Sequence, residues 1–240
     1  MARQFLAWLN MPANRRWLDV GCGSGTLSKI ITADYQPEQA VALDSSPDFI
    51  AYARRSLPHP AVQFKVGNAE ALKLSADAVD AAVSGLVLNF VPKPNVALLE
   101  MLRVTKPGGK IGIFVWDYAD GMQMLRYFWD AAVALDKDAQ ALDEGVRFPL
   151  CRKGELESLF HKAGLNKVEA APIEVMTIFE SFADYWLPFL GNAGPAGSYT
   201  MNLDRQDKAR LEARLRESLP IDETGALSLS ARAWAVKVTV

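Results

Sequence analysis

The sequence predicts an α/β protein built on a parallel sheet with helices on both faces. Short apolar runs alternate with amphipathic stretches through the first half of its 240 residues, and the first run ends in a glycine cluster. Strands separated by helices form βαβ units, whose crossovers cover both sides of a parallel sheet. WLDV (17–20) reads as the first buried strand, and 24–33 as a helix with Leu27, Ile30 and Ile31 on one side. AVALD (40–44) is the second strand. Ser45, Ser46, Pro47 and Asp48 open the next helix as N-cap and first-turn residues. Phe49, Tyr52 and Ala53 form its expected apolar stripe, and Leu57-Pro58 its stop. VQFKV (62–66) and VDAAVS (79–84) are the third and fourth strands, and 95–104 is a helix with Leu98, Leu99 and Leu102 inward. Residues 106–109 (KPGG) read as a turn into a fifth strand, KIGIFVW (110–116).

The second half changes character. Residues 117–150 are helical and rich in aromatics and Met, with no partner strand in view. Residues 154–163 are a helix with Leu156, Leu159, Phe160 and Ala163 on one stripe and Gly164 as C-cap. A strand lies within 166–179, and Pro172 places it at an edge or a bulge. Residues 191–202 read as a loop, and 204–219 as a helix with Leu211, Leu215 and Leu219 inward. Residues 231–240 close the chain as a strand with Trp234, Val236, Val238 and Val240 on one face.

Half the residues are apolar, 22% are charged, and the formal net charge is −2, which is ordinary globular composition. No basic block would track a phosphate backbone, so nucleic acid is not an expected partner. The densest basic stretch, 205–216, is interleaved with Asp204, Asp207, Glu212 and Glu217 and reads as a solvated helix face. Cys22 and Cys151 form no C-x-x-C pattern, and no metal site is expected. A reduced, cytoplasmic protein follows. The apolar stretch 5–9 is too short for a signal peptide, and no run is long enough for membrane insertion.

The strongest motif is DVGCGSG (19–25), where the first strand turns into the first helix. Gly21 and Gly23 let the backbone approach a ligand closely, and the helix after Gly25 offers unpaired N–H groups. Dinucleotide sites prefer G-x-G-x-x-G. Here the spacing is G-x-G-x-G with an acid, Asp19, directly ahead, and a nicotinamide-linked oxidoreductase is disfavoured. Asp44 ends the second strand, where a carboxylate can accept from both ribose hydroxyls. Asn68, with the N–H groups of Ala69 and Glu70, offers partners for a base edge; an Asx-turn is the competing reading. Ser84, Gly85 and Leu86 end the fourth strand, at the carboxyl edge where open α/β sheets bind ligands.

These segments resemble the class I S-adenosylmethionine (SAM) dependent methyltransferases, in particular the small-molecule branch typified by ubiquinone/menaquinone-biosynthesis enzymes. The resemblance rests on WLDVGCGSG (17–25), VALDSSPDFI (41–50), VGNAEAL (66–72), DAAVSGLVLNFVP (80–92) and LRVTKPGGKIGIFVW (102–116). It implies a Rossmann-like, doubly wound, seven-stranded sheet of order 3-2-1-4-5-7-6, with strand seven antiparallel. It implies one domain over 1–240, with 117–150 and 181–202 as insertions capping the acceptor side. SAM is the implied cofactor. Asp19, Gly21 and Gly23 would hold its methionine moiety, flanked by Cys22, Ser24 and Gly25. Asp44 beside Ser45 would take the ribose, and Asn68, Ala69 and Glu70 the adenine. Ser84, Gly85 and Leu86 would line the methionine side. Asn68 stands where relatives usually carry Asp.

The implied reaction is methyl transfer to a small, partly apolar acceptor. N-P-P-[YF], which holds a flipped adenine, is missing after strand four, and no Cys follows to attack a cytosine. No catalytic base stands out: His59 and His161 are poorly placed, and Asp117, Tyr118 and Asp120 read first as loop residues. Most of the aromatics in 116–129 are expected in packing. The stretch before Trp17 has room for one short helix on Phe5, Leu6 and Leu9. Cover for the site is then expected from 117–131 and 191–202 or from a second subunit in a homodimer. Without such cover the expectation is a SAM-binding protein lacking efficient turnover.

Overall fold

The structure, a computed structural model, describes residues 1–191 and 194–240. Seven strands are present: β1 (Arg16–Val20), β2 (Gln39–Asp44), β3 (Val62–Val66), β4 (Val79–Gly85), β5 (Thr105–Trp116), β6 (Val168–Phe179) and β7 (Leu227–Thr239). They form one sheet in the order β3-β2-β1-β4-β5-β7-β6, with β7 antiparallel. The helices are α1 (Ala2–Leu9), α2 (Thr26–Tyr35), α3 (Pro47–Ser56), α4 (Pro94–Val104), α5 (Gln123–Leu135), α6 (Glu144–Arg147), α7 (Glu155–Lys162), α8 (Phe182–Trp186), α9 (Gly194–Asn202) and α10 (Arg205–Ser218). The register sets Asp19 of β1 opposite Ala42 of β2 and Val83 of β4. β6, with Pro172, is an edge strand, where a missing N–H does no harm.

The chain divides into two compact units: Met1–Val115 with Gly154–Ile173 and Trp234–Val240, and Trp116–Lys153 with Glu174–Ala233. In the first, β1 and β4 are central and almost wholly buried. α1 buries Phe5, Leu6 and Leu9 completely. Gly112 makes room for it, since a Cβ there would lie 2.9 Å from both Leu9 and Phe5. Lysines hold its carboxyl end: Lys110 Nζ donates to the Leu9 and Asn10 carbonyls, and Lys237 Nζ to that of Trp8. Cations suit that end of a helix. In the second unit Phe128 and Trp129 of α5 are fully buried with Tyr185, Phe189, Leu211 and Leu215. Phe128 stacks on Phe189 at 4.4 Å, and Tyr185 Oη donates to the Met124 carbonyl.

Several expectations need correction. Phe49 and Tyr52 of α3 are exposed, and Ile50 and Ala53 are its buried face. Leu99 of α4 is exposed, and Ala97, Leu98, Met101 and Val104 are buried. Each helix carries two overlapping apolar stripes, and the sheet accepts one. Residues 106–109 are strand rather than turn, because Gly108 N donates to the Val240 carbonyl and Val240 N to that of Gly109. Of 191–202, expected as loop, 194–202 is helix α9 with Ala196, Gly197 and Thr200 buried; Asn192 and Ala193 lie outside the described residues. In β7 the buried set is Leu227, Leu229, Ala231, Ala233 and Ala235, then Val236 and Val238, and Trp234 is half-buried. The charged face of α10 is paired along its own helix, Arg210 with Asp207, Arg216 with Glu212 and Arg214 with Glu217.

Candidate cofactor site

Every residue expected to hold a cofactor falls in the first unit, at the carboxyl ends of β1, β2 and β4 or on the loops that follow β1 to β4. The β1–α2 loop is a chain of left-handed glycines: Gly21, Gly23 and Gly25 have φ of +71°, +53° and +90°. That region is closed to most other residues, which is why the loop reads G-x-G-x-G. Gly21 N and Cys22 N both donate to the Leu43 carbonyl, and Gly25 N to that of Cys22. Cys22 is buried, and Gly25 is the N-cap of α2.

The glycines differ in what surrounds them. A Cβ on Gly21 would lie 2.4 Å from Val87 Cγ1, so Gly21 admits the turn after β4 rather than a ligand. A Cβ on Gly23 would meet nothing within 4 Å. Its outer side is open, as a close-approaching ligand requires.

Asp19 is buried at the end of β1, its Oδ2 accepting from Ser28 N at 3.1 Å and Ser28 Oγ at 2.7 Å. Its Oδ1 is buried without a partner among the described residues. Burial pushes its pKa up to about 6, against the lowering effect of the Ser28 bonds. A buried carboxylate with one empty oxygen is costly unless something cationic completes it. Asp44 Oδ2 accepts from Gly23 N and Oδ1 from Ser46 N, both at 2.9 Å. Each oxygen keeps a lone pair for a further donor. Ser45 is exposed beside it.

Asn68 Oδ1 accepts from Glu70 N at 2.9 Å, the Asx-turn that competed with the ligand reading. The N–H of Glu70 is therefore committed, and its Oε1 accepts from Lys93 N at the start of α4. At the end of β4, Ser84 is fully buried, and its hydroxyl has no partner among the described residues. Gly85 is crowded by the Phe114 ring, and Leu86 has a left-handed φ of +62°. A bulky residue held at positive φ marks a turn constrained by its surroundings.

Outside this site, Asp117 is no solvated loop residue. It is buried and accepts from Arg232 Nε at 2.8 Å and from Asp120 N, with Arg232 Nη2 2.7 Å away. That is a structural ion pair, leaving its carboxylate occupied. Tyr118 is buried, and burial raises its pKa. Asp120, His59 and His161 are exposed. Among the described residues no cluster of three or more His, Cys, Asp or Glu could hold a metal, and no helix is long and apolar enough to cross a membrane. Ser28 and Val87 escaped the sequence reading. Ser28 could have been found as a hydroxyl buried in the first turn of a helix beside an acid; Val87 carries no sequence signal.

A left-handed glycine loop after β1, with one acid buried behind it and another at the end of β2, sits on a 3-2-1-4-5-7-6 sheet, the fold of the class I SAM-dependent methyltransferases. Residues 18–113 match the methyltransferase domain family, so that segment carries a methyltransferase domain. It is 30% identical over 121 residues to the malonyl-[acyl-carrier protein] O-methyltransferase of Methylococcus capsulatus, 50% of this chain and 44% of that one. Among solved structures, a candidate methyltransferase from an antibiotic biosynthesis pathway of Anabaena variabilis superposes with a TM-score of 0.67 at 19% identity, covering 98% of this chain and 95% of that one. A Haemonchus contortus phosphoethanolamine N-methyltransferase, solved with phosphomonomethylethanolamine and S-adenosylhomocysteine, gives 0.62 at 15% identity, covering 99% and 52%. At such identities the likeness is one of fold. The chain spans between 28% and 55% of the length of the curated relatives it matches.

Proposed function

We propose that this chain binds SAM on the loops after β1 to β4 and transfers its methyl group to a small, partly apolar acceptor. The observation that carries the reading is the pairing of Gly23, open on its outer side, with Asp19, whose Oδ1 is buried and unpartnered. An amino-acid tail laid along Gly23 would bring an ammonium to Asp19. The remaining lone pairs of Asp44 suit two ribose hydroxyls, and Asn68 with Ala69 stands at the adenine end. Bound there, SAM supplies an electrophilic methyl group on a good leaving group. The chain's task is alignment and exclusion of water, because proximity accounts for much of the acceleration of a displacement. Ser28 holds the Asp19 carboxylate in place, and Asp44 ties the glycine loop to the start of α3.

A small acceptor group finds support in the name of one relative, the malonyl-[acyl-carrier protein] O-methyltransferase. Cys22 and Cys151, buried and unpaired, suit the reducing cytoplasm. The test is a thermal-shift panel. SAM and S-adenosylhomocysteine raise the melting temperature and NAD does not; a shift with NAD alone would overturn the reading.

A further inference from the structure

The glycine loop is built from residues that restrain themselves least. Gly21, Gly23 and Gly25 stand at alternate positions, and glycine loses more conformational freedom on ordering than any other residue. What fixes such a loop has to come from outside it. From the β2 side it comes as hydrogen bonds: the Leu43 carbonyl accepts from Gly21 N at 2.8 Å and Cys22 N at 2.9 Å, and Asp44 Oδ2 accepts from Gly23 N at 2.9 Å. From the β4 side it is a side chain. Val87 Cβ and Cγ2 would each lie 2.8 Å from a Cβ on Gly21, and Cγ1 nearer still. The isopropyl group thus fills the volume that a side chain at position 21 would take. A β-branched residue suits this place, because its χ1 is stiff.

The turn that carries Val87 is itself held in a costly shape. Leu86, directly ahead of it, has a left-handed φ of +62°. A bulky residue keeps that conformation only where its surroundings impose it. Here Leu86 N donates to the Phe114 carbonyl at 2.8 Å, Phe90 N donates to the Val87 carbonyl at 2.8 Å, and Leu88 is fully buried. Fixed at both ends, the turn presents Val87 to Gly21 as a rigid stop. We infer that Val87 is a positioning residue for the cofactor loop: it holds the Gly21 hinge so that the loop is already ordered, with the outer side of Gly23 open, before a ligand arrives. This rests on the proposal that SAM occupies these loops. A site whose competent form is only partly populated binds more weakly by that fraction, and the loss falls alike on every ligand that needs the loop.

The experiment combines calorimetry with amide hydrogen exchange on the wild type, Val87→Ala and Val87→Thr. Val87→Ala deletes two methyl groups at a half-buried position. It should bind SAM and S-adenosylhomocysteine more weakly by one common factor, about 3- to 10-fold, the order of the ordering entropy of a single loop residue. Without ligand, the amides of Gly21, Cys22, Gly23 and Gly25, all hydrogen-bonded in the ordered loop, should exchange faster by at least that factor, while those of β1 and β4 keep their wild-type rates. Val87→Thr keeps the branched shape and should return both readouts to the wild-type values. Wild-type affinity and loop exchange in Val87→Ala would overturn the assignment. So would exchange that rises equally through β1, β4 and the loop, since Val87 would then serve the fold as a whole and not the loop. Failure of the wild type to bind S-adenosylhomocysteine would overturn the proposed function, a distinct result, and the exchange measurement would still decide whether Val87 orders the loop.

Discussion

In the proposed reading, Asp44 is the residue on which ligand and fold converge most directly. Its two oxygens each hold one backbone N–H, and each keeps a lone pair for a further donor. Asp44→Ala should weaken S-adenosylhomocysteine binding by about 2–4 kcal/mol, from two bonds to a charged group discounted for water access. Calorimetry giving wild-type affinity would remove Asp44 from the site. Asp19 makes a prediction about pH. Its folded pKa is about 6, raised from 3.8 by burial, so the folded state binds the proton more tightly than the unfolded chain. The stability this lends is present below pH 3.8, is lost as pH rises through about 6, and stays lost above. At about 1.36 kcal/mol per unit the loss approaches about 3 kcal/mol. Relative to Asp19→Asn, which cannot titrate, the wild type should lose that amount between pH 4 and 7.5 in urea unfolding. Saturating S-adenosylhomocysteine should shrink the difference, because an ammonium beside Oδ1 favours the carboxylate. A parallel pH response of the two proteins would show that Asp19 is not the titrating group. Both acids were legible in the sequence, because each ends a strand at the carboxyl edge. Ser28 and the commitment of the Glu70 N–H were not, since they depend on which way side chains turn.

At the scale of elements, the glycine loop was legible because backbone conformation restricts it: three left-handed positions admit little but glycine. The sequence reading assigned Gly21 and Gly23 the same purpose, and packing separates them. Gly21→Ala drives a Cβ into Val87, and the overpacking should destabilise the fold by about 1–3 kcal/mol. Val87→Ala should recover much of that loss in the double variant. Gly23→Ala meets no atom of the described residues within 4 Å, so only the left-handed backbone is penalised, by about 1–2 kcal/mol. It should nevertheless lose cofactor affinity, because its Cβ occupies the space given to the ligand. Chemical denaturation and calorimetry on the four proteins read both effects; Gly23→Ala with wild-type affinity would show that the loop does not approach the ligand there. Helix faces were less legible than strands. α3 and α4 each carry spare apolar residues, Phe49, Tyr52 and Leu99, that the pattern alone could not sort from the buried ones. The 106–109 segment was missed because its pairing partner, Val240, lies at the far end of the chain.

On the scale of the molecule, the first unit is readable from its motifs, and the second, Trp116–Lys153 with Glu174–Ala233, is not. A cofactor loop needs particular backbone angles and so leaves a spaced motif. The second unit is held by aromatic packing, such as Phe128 on Phe189, which fixes no spacing. The family match accordingly stops at residue 113. The sheet order was itself inferred by resemblance, since periodicity cannot order strands. One property of the whole surface still bounds the acceptor. Lys and Arg number 26 against 28 Asp and Glu, and many of the cations are already engaged: Arg3 with Asp34, Arg16 with Glu38, Arg103 with Glu100, Lys106 with Asp80, and three arginines along α10. Binding a duplex releases counterions in proportion to the phosphates neutralised, with a salt slope of about −0.9 per phosphate. A paired arginine gains little by exchanging a carboxylate for a phosphate, and the net charge of −2 repels the duplex as a whole. Fluorescence anisotropy with a short duplex should therefore show no saturable binding at physiological salt, and tritium from labelled SAM should not enter plasmid DNA above background. Saturable binding with a steep salt slope, or label in the DNA, would refute the small-acceptor reading and redirect the search toward a basic track made by assembly with another chain.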